Sequence, residues 1–371
     1  MENIQEKRSN NLEIKKKSIK NCYSKHKTEK NALTLGSEQC RVGKIILLLV
    51  FTLIFFNCSS NDDNINNPLA TLDVFTAGYD GRVATLWKNG IPTNLTDGNN
   101  AAVANSITVA NNDIYVAGYE NEGGKNVAKF WKNNMPIPLT DNNSIAKAES
   151  ITVVNNDEYV VGYENEGGKN VAKLWKNGIV TPNLTDGTKN ANAFSIIVVN
   201  NDIYIAGYDG NFAKFWKNST STELTDGSNA AQAHSITVVN NDVYVAGFEL
   251  NGNISVAKFW KNGTPTELTD GINAAKAHSI TVVNNDVYVA GFERSGNKLV
   301  AVLWKNGVAT DLTDGSNDAI AFSVTAVNND VYVAGIEEVS GDEFAKLWIN
   351  GTSSDLTGIS NETGVFSVFV K

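Results

Sequence analysis

Ser279-Ile-Thr-Val-Val-Asn-Asn-Asp-Val-Tyr-Val-Ala-Gly-Phe-Glu293 leads, after a short variable stretch, into Val300-Ala-Val-Leu-Trp-Lys-Asn-Gly307 and then Ala309-Thr-Asp-Leu-Thr-Asp-Gly315. β-Branched and aromatic residues fill the runs, and Asn, Asp and Gly gather between them, which is the chemistry of strands and turns. Four strands are expected. Strand A is Ser-Ile-Thr-Val-Val, strand B is Val-Tyr-Val-Ala-Gly-aromatic, strand C ends at the Trp, and strand D closes in Leu-Thr-Asp. The Asn-Asn-Asp between A and B and the Lys-Asn-Gly between C and D supply residues that tolerate positive φ, as tight hairpins require.

The unit recurs with a strict metric. Trp87, Trp131, Trp175, Trp216, Trp260, Trp304 and Trp348 are separated by 44, 44, 41, 44, 44 and 44 residues. Nearly all the length variation falls between strands B and C. A period in the forties with four short strands per unit predicts an all-β fold, a β-propeller, here with seven four-stranded antiparallel blades. The two ends of the chain are complementary. Leu72-Asp73-Val74-Phe75 enters directly at an A–B turn, whereas Val365-Phe-Ser-Val-Phe-Val-Lys371 is a strand A with no B after it. The C-terminal strand is therefore expected to complete the N-terminal blade, which removes two exposed sheet edges.

The N-terminal region reads as an address. Ile45 to Phe56 is an apolar run of 12 residues after Lys44. As a helix it would cover about 18 Å, short of the ~30 Å hydrocarbon core, so it suits the core of a signal peptide better than a membrane span. Phe55-Phe-Asn-Cys58-Ser-Ser then resembles the lipobox of bacterial lipoproteins, with Asn57 where Gly or Ala is commoner. The resemblance implies cleavage before Cys58 and acylation of that cysteine, a membrane partner reached through the acyl anchor. The expected division is a leader over 1–57, an acylated cysteine and flexible tether over 58–69, and the propeller over 70–371. Asp62 and Asp63 loosely match a signal for export to the outer face of an outer membrane, so cell-surface display is expected, with the periplasmic side as the alternative. Residues 1–57 carry 11 of the 31 basic and 5 of the 40 acidic residues, leaving 20 and 35 and a net charge of −15. That balance argues against nucleic acid and anionic headgroups as partners. Cys22 and Cys40 lie in the leader, so the propeller has no disulfide and relies on packing between blades.

Four sets of residues recur at equivalent positions. The tryptophans are expected to fill the space between blades. An acidic residue follows each strand-B Gly-aromatic or Gly-Ile pair, at Asp80, Glu120, Glu164, Asp209, Glu249, Glu293 and Glu337. It is either a carboxylate ring or a set of structural ion pairs with lysines such as Lys125, Lys169 and Lys298. The residue before each strand-A serine varies: Asn105, Glu149, Phe194, His234, His278, Phe322 and Phe366. This set is expected near the mouth of the central channel as a candidate ligand rim. The Leu-Thr-Asp aspartates suit turns or backbone caps, since a calcium site needs six to eight oxygens from closely spaced ligands. No catalytic residue, metal site or cofactor is assigned, and a monomer is expected.

The doubled Gly of kelch repeats, the Trp-Asp pair of Trp-Asp repeats and the Asp-box of sialidases are absent. Asn285-Asp-Val-Tyr-Val-Ala-Gly291 resembles the bacterial β-propeller repeats of many secreted and lipoprotein chains, with Asp-x-x-Tyr-Val-x-Gly at the core. The resemblance covers residues 70–371, and it implies a fold without implying an activity. The A–B and C–D turns emerge on one face and are nearly uniform, whereas the B–C and D–A connections emerge on the other and differ from blade to blade. This variation favours a recognition or scaffold module binding a glycan or protein on the B–C/D–A face. The alternatives are a structural subunit of an envelope complex and a carbohydrate-active lyase or hydrolase.

Overall fold

A computed structural model describes residues 72–356 and 362–371, so the expected leader, Cys58 and the tether lie outside the described residues. The described elements are all β-strands, arranged as seven four-stranded antiparallel sheets. Blade 2 is typical, with strands Ala102–Ala110, Asp113–Glu122, Lys125–Lys132 and Met135–Pro138 in the order A, B, C, D. Successive A strands touch one another all the way round, which makes A the innermost strand of every blade.

Closure follows the expected route. Thr363–Val370 pairs antiparallel with Val74–Asp80, from Val74 opposite Val370 to Asp80 opposite Thr363. Trp87 from the start of the propeller packs in one cluster with Val365, Val368 and Val370 from its end. The serines of strand A add a second seam. Ser367 Oγ accepts the Ile107 N–H at 3.2 Å, and Ser323 Oγ accepts that of Val368 at 3.1 Å. Ser106, Ser195, Ser235 and Ser279 make the same reach to the next blade.

All seven tryptophans are at most 1% exposed. Trp304 shows why: it packs with Tyr244, Ala246, Ala257 and Leu268 of the preceding blade and with Ala275 and Ala277 of its own. Each interface between blades has such a cluster, so the apolar core is a ring of wedges rather than one central mass.

Two boundaries differ from expectation. Strand A begins four residues before its serine, at Ala275 in blade 6, because alanines on alternate positions bury there completely. The variable B–C stretch is not a loop but a longer hairpin. In blade 2 the strands run to Glu122 and from Lys125 around Gly123-Gly124, with φ of 58° and 87°, whereas blade 1 turns already after Asp80. Two extra residues on each strand preserve the alternation of faces, so the lengthening costs no register.

The uniform face is held by a repeated clip. In blade 6, Asn284 and Asn285 take φ of 52° and 67°, as do Asn306 and Gly307 at 51° and 82°. Asn306 then donates from Nδ2 to Asp286 at 2.8 Å and accepts the Val287 N–H at 2.8 Å. Lys305 closes the set at 2.7 Å from Asp286 while lying over the Tyr288 ring. The Asn-Asn-Asp and Lys-Asn-Gly motifs are thus turn residues and cross-turn ties at once.

Candidate functional site

Every strand A carries a β-bulge at one place. Ala277 pairs with Gly291 and Ser279 with Ala290, so His278 is an extra residue with nothing opposite. The same skip sets out Asn105, Glu149, Phe194, His234, Phe322 and Phe366. A bulge re-aims a side chain. The strand-B glycine opposite permits it: a Cβ on Gly291 would overlap the Lys276 carbonyl oxygen, and the other six glycines meet the equivalent oxygen.

The seven re-aimed side chains line one cavity of about 400 Å³, joined by Gln232 and Lys276. These two precede their rim residues by two positions, toward the D–A connection, which places the cavity at the B–C/D–A end of the channel. Sequence reading missed Gln232 and Lys276. The signal was present as the variable residue inside each Ala-x-Ala before the serine, as in Ala275-Lys276-Ala277, where the alanines are fully buried and the residue between them is not.

The wall is two-sided. Phe194, His234, His278, Phe322 and Phe366 form a continuous arc over five neighbouring blades, with successive centroids 5.1, 5.1, 5.3 and 5.0 Å apart. A second tier of rings backs the arc, with Tyr208, Phe248, Phe292 and Tyr79 each in contact with a rim ring. The remaining two blades are polar. Glu149 accepts from Asn105 Nδ2 at 3.1 Å and from Asn192 Nδ2 at 3.2 Å. Burial pushes the Glu149 carboxyl up, partly opposed by the Asn192 bond and the Lys147 charge. Burial likewise lowers the Lys276 ammonium.

The two histidines are held neutral. Burial lowers His234 to about 4, against the opposing pull of the Ala277 carbonyl, and takes His278 well below the usual imidazole value. His234 Nδ1 lies 3.1 Å from that carbonyl oxygen and Nε2 lies 3.0 Å from Gln232 Oε1, so the single N–H of the neutral ring can donate to either oxygen. His278 Nε2 is buried without a hydrogen-bond partner. No group of three or more metal-ligating side chains occurs among the described residues.

The acidic positions are not a free ring. Lys129, Lys214, Lys258 and Lys346 on strand C pair with Glu120, Asp209, Glu249 and Glu337 at 2.7, 3.1, 2.8 and 3.0 Å. Lys173 reaches Glu164 at 4.0 Å. The expected partners were other lysines, and the register explains the difference. Lys129 stands opposite Gly118, which has no side chain to cover, and leans diagonally onto Glu120. Lys125 bonds instead to the Asn143 carbonyl at 2.8 Å, and Lys298 pairs with Asp318 at 2.9 Å. Asp80 is buried. Glu293 is the exception, because Val302 holds the lysine position in its blade. The Leu-Thr-Asp segments are turns. Asp226 Oδ1 accepts the Ser228 N–H at 2.9 Å, and the Thr225 hydroxyl accepts the Ala213 N–H at 3.2 Å.

No protein-family model and no curated protein matches the chain. Among solved structures it aligns with a chain from the crystal structure of a nidogen/laminin complex, at 8% identity and a TM-score of 0.43. The alignment covers 81% of this chain and 98% of that one.

Proposed function

We propose that the chain is a non-enzymatic recognition module, anchored to a membrane through Cys58, that binds a glycan or protein on its B–C/D–A face. The central cavity takes the terminal group of the ligand. One observation carries this reading: seven positions with the same bulged backbone differ in side chain so as to give one cavity an aromatic arc and a polar remainder. A purely structural bulge requires only that the side chain fit, and no such division would follow. Small-molecule sites commonly occupy about 300–1,000 Å³ and combine apolar walls with a few placed polar groups. Glycosidase chemistry uses two carboxylates flanking one bond. Glu149 is the one carboxylate among the residues lining this cavity, which favours binding over hydrolysis.

The outer-membrane, cell-surface address rests on the lipobox resemblance around Cys58 and on Asp62 and Asp63, and it accords with the bacterial propeller-repeat resemblance. A glycan array and a pull-down with the purified protein test the binding. Signals are expected that weaken when Glu149 or His278 is replaced, and silence in both assays would defeat the reading. Labelling with a radioactive fatty acid should mark the parent and not Cys58→Ser.

A further inference from the structure

Resting on the glycan-binding reading, we infer that the cavity is selective for a carboxylated sugar residue, its carboxylate against Lys276 and its hydroxyls against Glu149 and Asn105. Lys276 is the first observation. Strand-C lysines such as Lys129, Lys173, Lys214, Lys258 and Lys346 sit against carboxylates, but Lys276 on strand A lies 4.4 Å from the centre of the Phe248 ring with no carboxylate partner among the described residues. A half-buried ammonium that lines a cavity without a counter-charge is held ready for an anion, because a ligand carboxylate would restore what desolvation removes.

The arc supplies the second observation. His234 and His278 stack at 5.1 Å with an interplanar angle of 7°, and the flanking rings meet edge to face. The arc brings no carboxylate to the cavity, so it leaves Lys276 without a counter-charge on this wall. His278 Nε2, buried and unpartnered, adds a site that can become a donor by a change of tautomer.

The opposite wall selects the body of the ligand. Glu149 and Lys276 belong to blades 3 and 6, as far apart as seven blades allow. Each Glu149 oxygen already accepts one amide N–H, which leaves acceptor capacity for hydroxyls on the cavity side. A ring with a carboxylate at one end and several hydroxyls at the other satisfies both walls. An ammonium ligand would meet Lys276, and a neutral sugar would leave Lys276 unpaired.

Isothermal titration calorimetry with glucuronic acid, its methyl ester, glucose and N-acetylalanine tests the assignment. Glucuronic acid should bind at least about tenfold more tightly than the ester or glucose. Lys276→Gln, which installs the residue that blade 5 carries at Gln232, should erase that advantage and bring glucuronic acid to the affinity of its methyl ester. Glu149→Gln should weaken the acid and neutral sugars alike, and unchanged thermal melting would show that both variants are folded. Equal affinity for glucose and glucuronic acid, or indifference to Lys276→Gln, would overturn the carboxylate selectivity while leaving glycan recognition standing. N-Acetylalanine binding as tightly as glucuronic acid would overturn the sugar assignment. No binding by any probe would overturn the cavity assignment, and a silent glycan array would add the failure of the recognition reading itself.

Discussion

His234 and His278 make the propeller sensitive to mild acid. Their folded values lie below the unfolded value of about 6.5, so below that pH the unfolded chain binds protons that the folded chain refuses. Their contribution to stability is whole above about pH 6.5 and is lost as pH falls toward 4. The slope is at most about 1.4 kcal/mol per pH unit for each histidine, less where the cavity admits water. Glu149, raised by burial, works in the opposite direction, one carboxyl against two imidazoles. Thermal melting should therefore drop between pH 7 and 5. The double variant H234F/H278F, which installs the residue used at Phe194, Phe322 and Phe366, should flatten that drop. An unchanged slope would place the acid sensitivity elsewhere. At the same scale, Gly247→Ala should cost about 2–4 kcal/mol, because its Cβ meets the Gln232 carbonyl, a backbone atom that cannot swing aside. Urea denaturation measures it, and a near-neutral result would mean the bulge is not fixed by the glycine.

Between elements, the clearest irregularity is strand C of blade 6. Lys258 in blade 5 bridges Glu249 at 2.8 Å and Glu267 at 3.4 Å, and Lys346 in blade 7 bridges Glu337 and Asp355 at 3.0 and 2.7 Å. Blade 6 keeps the acids as Glu293 and Asp311 but has Val302 between them. Burial pushes the Glu293 carboxyl up, and Asp270 and Asp311 push it further. A raised carboxyl destabilises the folded state above its folded pKa, and the cost disappears as pH falls below the unfolded value. Val302→Lys should convert this site into the triad of its neighbours. Stability at pH 7 should rise by no more than about 1 kcal/mol, since such pairs are partly solvated. The gain should fade as the carboxylates protonate and as salt is added, which denaturation at two pH values and two ionic strengths would show. A gain that persisted in acid would have to come from packing instead.

For the whole molecule, closure is the decisive property. Deleting Val365–Lys371 removes most of one strand of blade 1, the Ser367 link to Ile107, and Val365, Val368 and Val370 from the cluster around Trp87. Burying a large apolar side chain is worth roughly 1.5–3 kcal/mol, against a typical domain stability of about 5–15 kcal/mol. The truncated chain should aggregate or melt far lower than the parent. A permutant should fold normally if Asn-Asn replaces Leu72 to join Lys371 to Asp73, with new ends at Asn284-Asn285. The backbone already brings Asp73 and Lys371 together through N–H···O bonds of 2.8 and 3.0 Å, so the join adds a turn without moving a strand. A truncation as stable as the parent would contradict the closed ring.

Sequence determined what is local or repeated. Trp spacing gave the number of blades, Asn-Asn and Asn-Gly marked the turns where positive φ is needed, and the complementary ends announced closure. The variable residue before each strand-A serine marked the candidate rim, since one position changing inside a uniform unit stands out without coordinates. Three things were decided only by the tertiary structure. The bulge that aims His278 into the channel is a property of pairing with Gly291, and one strand's alternation does not reveal it. Lys129 rather than Lys125 pairs with Glu120, because register and the empty place opposite a glycine outweigh nearness in sequence. The division of the cavity into an aromatic arc and a polar side, with Gln232 and Lys276 in its wall, exists only once seven strands far apart in the chain are brought around one axis. A repeat encodes its own blade. The cavity belongs to the ring, and its chemistry is the sum of positions that never meet until the ring has closed.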